Sequence, residues 1–132
     1  AAAVGQRLPA YCTASGKLFL AQLPGQELDR FLSRALHAYT EKTIISPDGL
    51  RKQFEVIRNQ GYAVDDEEME VGVYAIAAPI CYQPIASVSI AGPAYRLTKE
   101  RMLEISPDLL RTAKNIATEV ERAGNLGECR KG

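Results

Sequence analysis

Five carboxylates fall within six residues, at Asp65, Asp66, Glu67, Glu68 and Glu70, and a run this dense is the first place in the chain to look for chemistry. Carboxylate oxygens bind hard cations such as magnesium and calcium, so one reading is a metal-dependent enzyme. The run is contiguous, however, and no distant Asp or His at a recognisable spacing completes a ligand set. A charge run is most often a solvated bend. Position argues for more than that here. The acidic bend runs directly into Val71 to Pro79, an apolar stretch of small and β-branched residues that reads as a strand buried on both faces. Acidic groups held at the edge of a core are where a pocket can form.

Other candidate groups give weaker signals. Cys12, Cys81 and Cys129 are odd in number and widely spaced with no CxxC pair, which predicts reduced thiols rather than a disulfide scaffold or a structural zinc site. A nucleophilic cysteine needs a base beside it. The single histidine, His37, lies at no spacing that suggests one, so no catalytic residue is assigned. Ala14-Ser15-Gly16-Lys17 superficially suggests a phosphate loop, but the first glycine is missing and Leu18 stands where Ser or Thr would hold magnesium. What survives is a set of small residues opening a helix, where free N–H groups and the dipole favour an anion. Close packing is the alternative use of such residues. Ser87 and Ser89 share one face of a strand by period two, opposite Val88 and Ile90. An inward serine needs a hydrogen-bond partner.

Composition bounds the function classes. The chain has 132 residues, suited to one domain, with 46% hydrophobic and 24% charged residues and a formal net charge of zero from 16 basic and 16 acidic side chains. No basic face stands out, so this chain alone should not grip nucleic acid. No apolar run approaches the roughly 20 residues that span a bilayer.

The elements that must position these groups follow from local signals. Thr13 caps a helix to Leu23 with Leu18, Leu20, Ala21 and Leu23 inward, and Pro24-Gly25 stops it. Residues 26 to 33 form a second short helix burying Leu28, Phe31 and Leu32, and residues 34 to 45 a connector. Ser46-Pro47-Asp48 starts a helix that Gly61 ends, with Leu50, Phe54 and Ile57 at helical spacing. Tyr62 to Val64 is a brief strand before the acidic bend. Strands follow at Val73 to Ile80 and Ile85 to Ala91, joined by a turn near Gln83-Pro84, and Gly92-Pro93 ends the second. Thr98 caps a last helix, and Ser106-Pro107-Asp108 predicts a kink or restart within it. Residues 124 to 132 are polar and read as a disordered tail or tag.

Several of these motifs occur together in one known family. They are Ala14-Ser15-Gly16-Lys17 with Leu20-Ala21, Tyr39-Thr40 with Thr43-Ile44, Gly61-Tyr62-Ala63 with Asp65-Asp66-Glu67-Glu68 and Gly72, Ile76 to Ile80, and Ser89 to Pro93 with Arg96-Leu97-Thr98. In that order, over about Val4 to Arg122, the chain resembles the C-terminal effector-binding domain of IclR-type bacterial transcriptional regulators.

The resemblance implies an α+β, GAF-like fold: an antiparallel sheet flanked by helices, with a small-molecule pocket on one face. It implies that residues 1–123 are an effector-binding domain lacking its first strands. A winged helix-turn-helix domain, absent from this chain, would make the DNA contacts. It implies a cytoplasmic repressor or activator, a homodimer or homotetramer, and no cofactor, metal or membrane. Carried over position by position, the ligand-binding residues fall on Leu8, Ala14, Ser15, Gly16, Asp65, Val73, Ala75, Ser89 and Ala91. Relatives can hold a cysteine at position 75 and a serine at position 91, whereas alanine at both here cannot hydrogen-bond. Ser15 adds a hydroxyl where a small apolar residue can stand. The helix N-terminus and Asp65 together suggest a small hydroxy or keto acid as effector. A pure dimerisation module is the remaining alternative.

Overall fold

A computed structural model describes residues 3–81 and 86–124. The chain runs through a short 3-10 turn, Ala10–Cys12, then α1 (Ala14–Ala21), α2 (Gly25–Leu32), α3 (Pro47–Gln60), β1 (Ala63–Asp66), β2 (Val73–Ile80), β3 (Ala86–Pro93) and α4 (Lys99–Arg122). The three strands form one antiparallel sheet in the order β1-β2-β3, with helices against both faces, an α+β fold.

Local chemistry explains the boundaries. The Thr13 hydroxyl accepts from the Gly16 N–H and opens α1, Ser46 does the same for Gly49 at α3, and Thr98 for Arg101 at α4. Gly61 closes α3 at φ 87°, a left-handed conformation open to residues without a Cβ. α2 forms one residue ahead of its expected span, β1 reaches on to Asp66, and β3 to Pro93.

The sheet separates two cores. On one face Tyr74, Ile76, Ala78 and Ile80 pack against Met102, Leu109 and Ala113 of α4. On the other, Ala63 and Ala77 lie under Ala14, Leu18 and Ala21 of α1, with Leu50, Phe54 and Ile57 of α3 behind them.

Two expectations are corrected. The proline of Ser106-Pro107-Asp108 does not restart the last helix: α4 is one α-helix from Lys99 to Arg122. Pro107 cannot donate to the Leu103 carbonyl four residues back, and the Ser106 hydroxyl does so instead at 2.9 Å. The cysteines are not all reduced. Cys12 is a free, buried thiol, but Cys81 is disulfide-bonded. An odd count is compatible with one pair and one free thiol. The expected turn at Gln83-Pro84 and the tail beyond Gly124 lie outside the described residues. Among the described residues, no helix is long and apolar enough to cross a membrane.

Candidate functional site

Period two sorts the strand residues by face. Ala75 lies opposite Asp65 on one side and Ala91 on the other, Ala77 lies between Ala63 and Ser89, and Val73 faces Pro93. Asp65, Val73, Ala75, Ser89 and Ala91 therefore share the face on which α1 packs. Most of these side chains are small, whereas the α4 face of β2 carries Tyr74, Ile76 and Ile80. A groove of 590 Å³ opens over Val73, Ala91 and Pro93, walled by Leu8 and Gln6 from the lead-in segment and by Met69 and Glu70 from the bend.

The first turn of α1 is fixed by contact rather than freedom. A Cβ on Gly16 would stand 2.3 Å from the Ala10 carbonyl oxygen and 2.6 Å from the Thr13 hydroxyl, so only glycine lets the helix lie this close to its own lead-in. Thr13 takes the Gly16 N–H. The N–H groups of Ala14 and Ser15 are left without a partner among the described residues. The Ser15 hydroxyl meets Ser87 of β3 at 2.9 Å. Ser87 thus has the partner an inward serine requires, while Ser89 is exposed.

The acidic bend divides into buried and exposed halves. Glu67 turns the chain at φ 55°. This sends Glu68 inward, only 3% exposed, while Asp66 and Glu67 face Lys42 at the surface at 3.3 and 2.6 Å. Thr40 and Thr43 fasten the bend from the connector, donating to the carbonyls of Glu67 and Glu68 at 2.7 and 2.6 Å. The inward Glu68 accepts through Oε2 from Lys17 Nζ at 2.8 Å and from the Asp66 N–H at 3.1 Å. Lys17, on α1, is fully buried and also reaches Gln53 Oε1 at 3.4 Å.

Asp65 lies beside this pair, 5% exposed, accepting from the Glu68 N–H at 2.8 Å. Burial pushes its carboxyl up to about 6; the charge of Glu68 adds to the rise, and the Glu68 N–H and the Lys17 charge oppose it. Burial likewise pushes the Cys12 thiol up to about 12, with Asp65 and Glu68 adding to it. A thiol held protonated in this way is no nucleophile. Its Sγ rests 3.6 Å from the Met69 sulfur.

The nine residues expected to bind ligand are therefore gathered on one side of the sheet, in unequal ways. Leu8, Val73 and Ala91 line the groove. Asp65, Ala75 and Ser89 share its face by register. Ala14, Ser15 and Gly16 open α1, which packs on that face, Gly16 in a packing role, and none of the three lines the groove. Lys17 and Glu68 escaped the sequence reading as partners. The only available signal was a lysine set among small and apolar residues, and its partner is 51 residues away. His37 serves through its backbone, its N–H and carbonyl both meeting the Tyr11 hydroxyl at 2.9 and 2.6 Å. Among the described residues no group of three or more His, Cys, Asp or Glu side chains could hold a metal ion.

Comparison with known proteins agrees with this geometry. Residues 1–118 match the family described as bacterial transcriptional regulator IclR C-terminal. The chain is 38% identical over 119 residues to the transcriptional repressor IclR of Escherichia coli (strain K12), covering 87% of this chain and 43% of that protein. It superposes on the crystal structure of IclR from Thermotoga maritima with a TM-score of 0.82 at 38% identity, covering 91% of this chain and 50% of that one. It also superposes on a double mutant of the inducer-binding domain of the PobR transcription factor from Acinetobacter, in complex with 3-hydroxy benzoic acid. There the TM-score is 0.78 at 27% identity, over 86% of this chain and 67% of that one. The chain spans less than half the length of the curated repressor it matches. With the helix-flanked sheet, the motif order and these relatives in agreement, the chain belongs to the family of C-terminal, effector-binding domains of IclR-type bacterial transcriptional regulators.

Proposed function

We propose that this domain senses a small organic acid, bound on the α1 face of the sheet, and passes its occupancy to a DNA-binding domain elsewhere in the regulator. The observation that carries this reading is the asymmetry of the sheet. On one face β2 packs Tyr74, Ile76 and Ile80 against Met102 and Leu109 of α4, and on the other it carries small side chains and borders the 590 Å³ groove. Sites for small molecules are mostly apolar recesses with a few convergent polar groups. Here the apolar wall is Leu8, Val73, Ala75 and Ala91, and the polar groups are Ser89, Asp65 and the opening of α1. The inducer-binding domain of PobR, similar to this chain, holds a hydroxylated aromatic acid.

The ligand's carboxylate would turn toward the N–H groups of Ala14 and Ser15. Asp65 would repel a carboxylate beside it and accept instead from a hydroxyl or hydrated carbonyl. Binding acts by population shift, one arrangement of the regulator holding the acid better than another. In this reading residues 1–123 are the sensing domain of a cytoplasmic homodimer or homotetramer. They catalyse no reaction and touch DNA only through another domain.

A thermal-shift screen of metabolic carboxylic acids finds the ligand, since saturation a hundredfold above Kd adds about 2.7 kcal/mol of stability. Calorimetry then compares the acid with its methyl ester, which should bind at least ~10-fold more weakly. Equal affinities would remove the helix opening from the site.

A further inference from the structure

A second recess lies at the β1 edge of the sheet, where among the described residues no strand pairs with β1 on the side away from β2. It measures 500 Å³ and runs between the connector and α3 on one side and the start of α4 on the other, with Glu68, Gln53, Asp66, Lys42 and Lys99 around it. A further 300 Å³ continues from it past Asp66 and Lys99 onto an apolar floor of Tyr62, Val64, Met102 and Leu103.

Three features of this recess point to a ligand. Glu68 lines it with a side chain only 4% exposed, and its Oε1 has no hydrogen-bond partner among the described residues, although Oε2 has two. A buried carboxylate oxygen without a donor is costly, and a donor brought in through the recess would relieve that cost. At the rim, Lys42 and Lys99 hold Asp66 between them at 3.3 and 3.1 Å, with side chains 48% and 60% exposed. Exposed pairs of this kind are weak and can be exchanged for another anion. Of the residues that line it, Lys42 and Lys99 balance Asp66 and Glu68 in formal charge, so the recess favours a guest with no net charge.

We propose that this recess binds an α-amino acid with an apolar side chain, its ammonium donating to Glu68 Oε1, its carboxylate meeting Lys42 and Lys99, and its side chain on the apolar floor. A neutral zwitterion matches the balanced charge, and the two recesses joined past Asp66 separate its polar and apolar ends. The recess is distinct from the organic-acid groove, which opens over Val73 and Ala91, although the Glu68 N–H donates to Asp65 between them.

The test uses L-leucine as probe, with leucinamide, which lacks the carboxylate, and 4-methylpentanoate, which lacks the ammonium. Calorimetry on the 132-residue chain should show leucine binding, and each analogue binding at least ~10-fold more weakly. Because Glu68→Gln disturbs the buried pair with Lys17, the rim carries the mutational test. Lys99→Ala should weaken leucine at least ~3-fold while the thermal midpoint of the unliganded chain stays put. Ser89→Ala should leave leucine binding unchanged. The proposal is overturned if leucine fails to bind at about 10 mM, if 4-methylpentanoate binds as well as leucine, or if Ser89→Ala rather than Lys99→Ala abolishes binding.

Discussion

The two faces of one strand have been put to opposite uses. Toward α4, β2 presents Tyr74, Ile76, Ala78 and Ile80, and the volume is closed by Met102, Leu109 and Ala113. Toward α1 it presents Val73, Ala75, Ala77 and Pro79, of which Ala75 and Ala77 join the core of α1 and α3 and Val73 borders the groove. The difference shows how eight residues can be both scaffold and site. Successive side chains point to opposite faces, so bulk on one phase of the strand secures the fold, and smallness on the other leaves room for a ligand. On the α1 face the bulk comes from the helices, through Leu18, Leu50 and Phe54, and the buried Lys17–Glu68 pair ties α1 to the acidic bend.

The comparison is most severely tested at that pair. Lys17→Met keeps the length of the side chain but strands the Glu68 charge in the interior, and should cost about 3–5 kcal/mol in urea unfolding. The double variant Lys17→Met/Glu68→Gln should recover part of that loss. A near-neutral single variant would mean that the pair does not hold α1. Next in size, Ile76→Ala opens a cavity on the α4 face and should cost about 2–5 kcal/mol, while the affinity for an acid on the opposite face stays within about twofold. A large change in affinity would show that the faces are not separable.

The third test is pH. Asp65 is raised in the folded chain from its ordinary 3.8 to about 6, so between those values the folded state binds more proton than the unfolded. Its contribution to stability is therefore fully present below pH 3.8 and declines as pH rises to about 6, by on the order of 2–3 kcal/mol. Above that the contribution is level. In unfolding from pH 4 to 7, the stability of the wild type relative to Asp65→Asn should fall as pH rises to about 6 and then level off. The smallest effect belongs to Ser89→Ala. It should weaken the acid effector by about 0.5–1.5 kcal/mol, the worth of one neutral hydrogen bond, and leave stability alone. Ser87→Ala, whose hydroxyl is already engaged by Ser15, should matter less to affinity. Equal effects at both serines would move the site along the strand.

Much of this arrangement is written locally. Ser46-Pro47-Asp48 and Gly61 delimit α3, and β2 spans the residues its apolar run indicated, because caps, stops and apolar runs act over a few residues. The shared face of Asp65, Val73, Ala75, Ser89 and Ala91 is legible once the strands are assigned, since the period is fixed. What the sequence hid was set by longer range or by a single backbone torsion. The burial of Lys17 depends on a carboxylate 51 residues away. Which members of the acidic run turn inward depends on the left-handed Glu67, and composition says nothing of that. At Pro107 the local signal pointed to a kink or restart, but the helix runs on without a restart, and the preceding serine's hydroxyl donates to the Leu103 carbonyl.

The glycine of Ala14-Ser15-Gly16-Lys17 changes how that tetrapeptide should be read wherever it occurs. In a phosphate loop, glycine is present because a ligand needs the backbone bare. Here it is present because the chain has to pass over itself, with the Ala10 carbonyl in the place a side chain would take. The lysine that follows reaches an internal carboxylate rather than a phosphate. Met in another sequence, the same four letters would therefore identify a helix folded back on its own approach and locked by an inward cation, and a search for nucleotide-binding proteins that scored them as a partial match would be counting a packing constraint.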